Sequence, residues 1–191
     1  TAWFNGIGIN SWENVWGTWA GKTPRAAQQI RVLAAMLRFA GGHEHGGVAQ
    51  EDFTSNRSLL HSATWEPFAP LVTCENDTQA QVYASTWPQQ GEVYISFVVV
   101  ADRSAAVGKG TVNASFELDS RYLNGSGWHC FDAYHGVELT MPKERTMTVE
   151  IDASLGGSDP ALERSIAGIG GLLFTRQTTD TDPDLRAYLQ R

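Results

Sequence analysis

The stretch that decides the fold is Glu92-Val-Tyr-Ile-Ser-Phe-Val-Val-Val100. Its β-branched and aromatic residues favour an extended chain, and the polar run Ala101-Asp102-Arg103-Ser104 ends it. We therefore predict that this stretch is a central β-strand. Farther along, apolar and polar residues alternate from 112 to 119, which predicts a strand with one buried and one exposed face.

Several other segments have the same two-residue period. A strand is predicted to begin at Val82, residues 128–139 predict a strand, a tight turn and a second strand, and further strands are predicted over 146–152 and 166–174. About six short strands, separated by turn signals and with no helices between them, indicate an antiparallel β-sandwich. The glycines of the last strand are expected to mark a bulge or close packing.

One helix is predicted ahead of the strands. Thr23 is a suitable N-cap, Pro24 occupies the first helical position, and Gly41-Gly42 ends the pattern. Apolar residues recur at helical spacing beside a polar strip, so we predict an outer helix of a layered fold. Two prolines in the segment from Ser62 to Pro70 oppose regular structure and favour an extended crossing between modules, and we place a domain boundary there.

The segment Phe4–Trp19 concentrates indoles, glycines and amides around a single carboxylate. Pyranose rings stack their C–H faces on indoles, and their hydroxyls need polar partners, so this composition fits a sugar-binding wall. The alternative is that these tryptophans are large packing units. The candidate substrate-binding residues are Asn5, Asn10, Trp12, Asn14, Trp16 and Trp19, and the candidate catalytic carboxyl is Glu13.

Composition and charge exclude several classes of protein. Hydrophobic residues make up 42% of the 191 positions and charged residues 18%, unlike a disordered chain or a coiled coil. The net charge of -7 argues against nucleic acid as a partner, and no apolar run is long enough for membrane insertion. We expect no metal site, because His43-Glu44-His45 lies in a glycine-rich loop that lacks rigid ligand geometry. We expect no cofactor, because the chain has no phosphate-binding loop and residues 6–10 lack the third glycine of a dinucleotide-binding motif.

Four N-x-[ST] sequons indicate a secreted, N-glycosylated protein at or outside the cell surface; they are Asn56, Asn76, Asn113 and Asn124. Cys74 and Cys130 are compatible with one disulfide, and the alternative is two reduced, buried thiols. An oxidising compartment would favour the disulfide. Because the chain begins at Thr1 without a signal-peptide pattern, we expect it to belong to a larger protein.

Two segments resemble parts of multidomain glycoside hydrolases. Residues 5–19 with the following helix are similar to the last strand, loop and helix of a (β/α)8 barrel, in a family of large proteins some of which also carry a formylglycine-generating-enzyme-like (sulfatase-modifying factor) domain. Residues 127–139 resemble a hairpin in the C-terminal sandwich of several retaining glycosidase families. The resemblance implies a mixed α and β fold in which the end of a barrel is followed by an antiparallel β-sandwich.

The resemblance also implies domains and a function. Residues 1–66 would end the barrel, residues 67–177 would form the sandwich, and residues 178–191 would be a linker and the start of a following helix. The chain would be the C-terminal portion of a secreted glycoside-hydrolase-like protein that acts on or binds carbohydrate. The alternative is a non-catalytic extracellular structural or interaction protein on the same scaffold. An independent carbohydrate-binding module is disfavoured, because it would carry its aromatic platform on sandwich strands, whereas four of the seven tryptophans precede the predicted sandwich. Expected partners are carbohydrate, the N-terminal part of the barrel, and a further C-terminal domain or subunit.

Two details of the hairpin complete the predictions. Asp132 is expected to cap the Tyr134-His135-Gly136 turn, and His129 and His135 are expected to pack and form hydrogen bonds without making a catalytic dyad.

Glu13 would need a second carboxyl, about 5–10 Å away, from chain that precedes this one. Whether Glu13 does chemistry, binds sugar hydroxyls or braces its loop stays open.

Overall fold

The described part of the chain folds into two antiparallel β-sheets and two short helices. The computed structural model describes residues 31–36, 39–40, 64–75, 80–102, 110–153 and 164–190. Helix α1 comprises residues 31–36 and 39–40. The other elements are β1 Glu66–Pro67, β2 Val72–Cys74, β3 Ala80–Gln89, β4 Glu92–Asp102, β5 Thr111–Glu117, β6 His129–Asp132, β7 Val137–Leu139, β8 Thr146–Asp152, β9 Arg164–Thr175 and α2 Pro183–Leu189.

The larger sheet has the strand order β1-β3-β4-β9-β6-β7, and the smaller sheet has the order β2-β5-β8. Strand β4 is central as predicted, since it pairs with β3 on one side and β9 on the other. The register of β4 and β9 shifts between Val99 and Val100, opposite Gly168 and Ile166. The predicted bulge is therefore present in the glycine-rich strand.

The core lies between the two sheets. Alternate residues of β5 and β8 point into it, because side chains of a strand alternate between its two faces. Phe116 of β5 is fully buried, and its ring lies 5.2 Å from that of Phe97 on β4. Burial of one such side chain stabilises the fold by about 1.5–3 kcal/mol.

The helices cover the outer face of the larger sheet. The apolar face of α1 packs against a second core cluster on that sheet, which includes Trp87, Tyr94 and Leu173. Helix α2 begins at the N-cap Asp182, whose side chain accepts hydrogen bonds from two helical N–H groups. The Tyr188 ring stacks on Phe39 at 4.3 Å, and its hydroxyl donates to the carbonyl oxygen of Ala133. Both helices therefore belong to the same layered unit as the sandwich.

These contacts correct the predicted fold class and the resemblance behind it. The chain is predominantly β, and it is not the end of a (β/α)8 barrel. Every strand pairing within the described residues is antiparallel, whereas a barrel is built from parallel strands. The helical period around residues 31–36 was interpreted correctly, but periodicity does not identify the surface on which a helix packs.

Two short strands were missed by the sequence analysis. Strand β1 forms within the proline-containing segment that was predicted to be irregular, and β2 follows it. Pro67 is tolerated because β1 lies at the edge of the larger sheet, where the backbone N–H that proline lacks is not needed to pair with a further strand. The edge position, which is a tertiary property, therefore overrides the local signal.

The predicted disulfide is not formed in the structure, where Cys74 and Cys130 are thiols. Cys74 is on β2, which contacts β3, whereas Cys130 is on β6. In the larger sheet, β6 is separated from β3 by β4 and β9, which at strand spacing amounts to about 14 Å. A disulfide requires Cα atoms closer than about 7 Å.

Among the described residues, no helix is long and apolar enough to cross a membrane.

Candidate binding groove

Many residues singled out from the sequence lie outside the described residues, so their roles stay predictions. These are Asn5, Asn10, Trp12, Glu13, Asn14, Trp16 and Trp19 of the predicted sugar wall, the sequons Asn56 and Asn76, and the loop residues His43, Glu44 and His45. The other two sequons are described, and Asn113 and Asn124 are both exposed. A glycan at either position would therefore not collide with the core.

A groove of about 330 Å³ opens at one end of the sandwich, between the edges of the two sheets. We call it the Arg121 groove. Its polar lining carries both signs of charge, and its floor reaches the inner face of β4. The lining includes Glu66, Pro70, Leu71, Thr86, Val93, Ile95, Glu117, Leu118, Asp119, Ser120, Arg121, Tyr122, Leu123 and Arg145.

Three distant segments meet to form this groove. Glu66 of β1 lies opposite Thr86 of β3 in the antiparallel register, and the Thr86 hydroxyl donates to the Ala69 carbonyl at 2.8 Å. The turn after β5 supplies Arg121, and the residue before β8 is Arg145. These last two segments are joined because the Leu118 N–H donates to the Arg145 carbonyl at 2.7 Å.

Arg121 links two carboxylates of the groove. Its backbone N–H donates to Asp119 Oδ1 and its Nε donates to Asp119 Oδ2, both at 2.7 Å. Its terminal nitrogen donates to both oxygens of Glu66, at 3.1 and 3.2 Å. The Arg121 side chain is 64% exposed and the two carboxylates are about half as exposed, so the network is accessible to a ligand.

The Tyr122 hydroxyl completes the network by donating to Glu66 Oε1 at 2.5 Å. This hydrogen bond raises the pKa of Tyr122, so the hydroxyl stays protonated at neutral pH. The hydrogen bond from Arg121 lowers the pKa of Asp119, which keeps that carboxyl ionised. The groove therefore presents a fixed set of donors and acceptors.

This arrangement suits binding better than acid–base catalysis. A glycosidase needs one carboxyl that holds a proton near neutral pH, which requires a raised pKa. In the groove, the pKa of Asp119 moves in the opposite direction, and Glu66 is the acceptor in every hydrogen bond that it makes with Arg121 and Tyr122. The hydrogen bond from Arg121 therefore disfavours Asp119 as the proton donor to a leaving group.

Two charged side chains of the groove have no hydrogen bond or ion pair with any residue in the described part of the chain. They are Glu117, at the end of β5, and Arg145. Both are exposed and both line the groove. A guanidinium offers five donors in a planar fork, and a carboxylate offers two acceptor oxygens. These groups are available for an incoming ligand.

The two histidines of the β6–β7 hairpin are paired with different carboxylates. His135 Nδ1 lies 2.7 Å from Asp132 Oδ2, whereas His129 Nδ1 lies 3.0 Å from Glu138 Oε1. Asp132 Oδ1 accepts hydrogen bonds from the backbone N–H groups of Tyr134 and His135, so the predicted cap is confirmed. Within the described residues, no group of three or more His, Cys, Asp or Glu could hold a metal ion.

The Arg121 groove was not predicted from the sequence. Glu66 was assigned to an irregular crossing, and Asp119 was interpreted only as the exposed end of a strand. A local signal existed, because a turn containing Asp119 and Arg121 places a carboxylate and a guanidinium two positions apart. No local pattern connects this turn to Glu66 or to Arg145.

The fold and the groove define an antiparallel β-sandwich with a polar cleft at one end. No protein-family model matches the chain, and comparisons with curated proteins and with solved structures give no significant match.

Proposed function

We propose that this chain is a non-catalytic, carbohydrate-binding β-sandwich of a secreted glycoprotein, and that the sugar binds in the Arg121 groove. The observation that carries the proposal is the convergence of acidic and basic hydrogen-bonding side chains on one accessible groove. Sugars present several hydroxyls in fixed directions, and charged side chains form strong, directional hydrogen bonds with them. Apolar side chains at the rim, Pro70 and Leu71, offer surface for the C–H faces of a sugar.

The lowered pKa of Asp119 suits a role as a hydrogen-bond acceptor in binding. Asp119 is held ionised, so it serves as an acceptor for sugar hydroxyls and not as a general acid. The volume of about 330 Å³ is at the lower end of the range of roughly 300–1,000 Å³ for small-molecule sites. The exposed sequons Asn113 and Asn124 support a secreted protein.

Binding is tested by calorimetric titration with mono- and oligosaccharides of the gluco, manno, xylo and N-acetylglucosamine series. Arg145→Ala is the sharpest variant, because this side chain makes no hydrogen bond or ion pair with the described residues and its loss should not alter folding. Arg31→Ala is the matched control, since Arg31 is likewise exposed and has no partner among them. We expect at least about tenfold weaker binding for Arg145→Ala and unchanged binding for Arg31→Ala.

Four results would count against the proposal. Absence of binding by every series would reject carbohydrate as the ligand. Equal affinity of Arg145→Ala and the unaltered protein would reject the groove as the site. Release of sugar from an oligosaccharide by the unaltered protein, with no release by Glu66→Gln or Asp119→Asn, would reject a non-catalytic role. Unchanged electrophoretic mobility of the protein after glycosidase F treatment would remove the main support for secretion.

A further inference from the structure

A second cavity, of about 320 Å³, adjoins the Arg121 groove. The two cavities share four lining residues, namely Leu118, Ser120, Leu123 and Arg145. Since they share these residues, the two cavities lie side by side, and we call the pair the extended cleft. The second part also carries Trp128, Met141, Lys143 and Glu144.

Trp128 is held in one orientation at the far part of the cleft. Its Nε1 donates to the Asn124 carbonyl at 2.8 Å, and the Arg176 guanidinium lies 5.0 Å from the ring centroid. Arg176 is held in turn, because it donates to the same carbonyl at 2.9 Å. Trp128 lines the cavity and also packs against the main core. With Nε1 engaged, the part of the indole that lines the cavity is carbon surface, on which a pyranose C–H group can pack.

Arg145 lies where the two parts of the cleft meet. Its backbone position is fixed by the hydrogen bond that its carbonyl accepts from Leu118, whereas its guanidinium contacts no acceptor in the described part of the chain. A fork of five donors at this point can contact groups of a ligand on both sides of the junction. Lys143 adds a second exposed cation beyond it.

We propose that the extended cleft binds an oligosaccharide and not a single sugar. One sugar unit would occupy the Arg121 groove, the chain would pass Arg145, and a further unit would stack on Trp128. This inference rests on the proposed function and adds to it a second subsite and a requirement for ligand length.

The test is a chain-length series, from monosaccharide to hexasaccharide, of whichever sugar type binds. Affinity should rise by at least about tenfold between ligands that fill one part of the cleft and those that reach Trp128. Trp128→Ala should abolish that gain and leave the affinity for the shortest ligand unchanged, whereas Arg145→Ala should weaken both. Trp128→Phe should restore much of the gain, since it keeps a stacking ring.

Lys143→Ala is a second test that does not depend on the folding of Trp128→Ala. The Lys143 side chain is exposed and has no hydrogen bond with the described residues, so its loss should not alter folding. Lys143→Ala should reduce the affinity for long ligands only. Equal affinity for short and long sugars would overturn the inference while the proposed function stands. Absence of binding at every length would reject both.

Discussion

Arg121 and Glu66 are 55 positions apart in sequence, yet the Arg121 guanidinium donates to both carboxylate oxygens of Glu66, at 3.1 and 3.2 Å. The pair joins the edge strand of the larger sheet to the turn that follows β5 of the smaller sheet. Exposed ion pairs add little to stability. We infer that this pair mainly orients the side chains that line the groove.

Removal of the Tyr122 hydroxyl should weaken the network measurably. Tyr122→Phe leaves the ring in place and deprives Glu66 of a donor at 2.5 Å, so we expect the free energy of unfolding to fall by about 1 kcal/mol. The measurement is urea denaturation. Tyr83→Phe is the matched control, because its hydroxyl makes an exposed hydrogen bond to Gln81, and it should change the free energy by less than about 0.5 kcal/mol. Equal losses in the two variants would contradict the expectation.

The His135–Asp132 pair should make stability depend on pH. The hydrogen bond to Asp132 raises the pKa of His135 above its ordinary value of 6.5, against the opposing effect of burial. The protonated form is favoured in the folded state, so this contribution is complete below pH 6.5 and is lost as the pH rises through the folded-state pKa. The negative charge of Asp152 also raises the pKa of His135.

The free energy of unfolding should be measured across this range for the unaltered protein and for His135→Gln. The difference between them should shrink as the pH rises above 6.5. Glu150→Gln, an exposed substitution on β8, should keep the profile of the unaltered protein. Parallel profiles for the unaltered protein and His135→Gln would show that the pair does not contribute.

Gly170 should tolerate no side chain. A Cβ atom at this position would collide with the ring of Phe97, with Cε2 only 2.6 Å away, and that ring packs against Phe116 in the core. Gly170→Ala should therefore lower the free energy of unfolding by about 1–3 kcal/mol. Gly110→Ala is the control, because a Cβ atom added there would have no neighbouring atom within 4 Å. Comparable thermal denaturation curves for the two variants would mean that Phe97 moves aside.

The two cysteines should differ in reactivity. Cys130 is fully buried, and burial raises the pKa of its thiol far above the usual range, so it should not react with iodoacetamide before unfolding. Cys74 is only partly buried and should be modified first. Mass spectrometry of the alkylated protein, native and unfolded, measures both rates. A protein that takes up no label even when unfolded without reductant would contain the disulfide that the structure lacks.

The strands were predictable because each carries its own signal. Alternation over residues 111–117 reflects one buried and one exposed face, and the β-branched run of β4 reflects burial on both faces. The turn cap at Asp132 was predictable because its partners are two and three residues away. Strands β1 and β2 were missed because they are short and depend on their neighbours in the sheets.

The sequence by itself determined the β-sandwich, its central strand and its hairpin turn, since local periodicity and turn chemistry act within a few residues. Only the tertiary structure decided that α1 covers the larger sheet, and that Glu66, Arg121 and Arg145 meet in one groove. These outcomes depend on strand order and register across sheets. Such long-range pairings arise from the packing of the whole chain, and no local pattern encodes them.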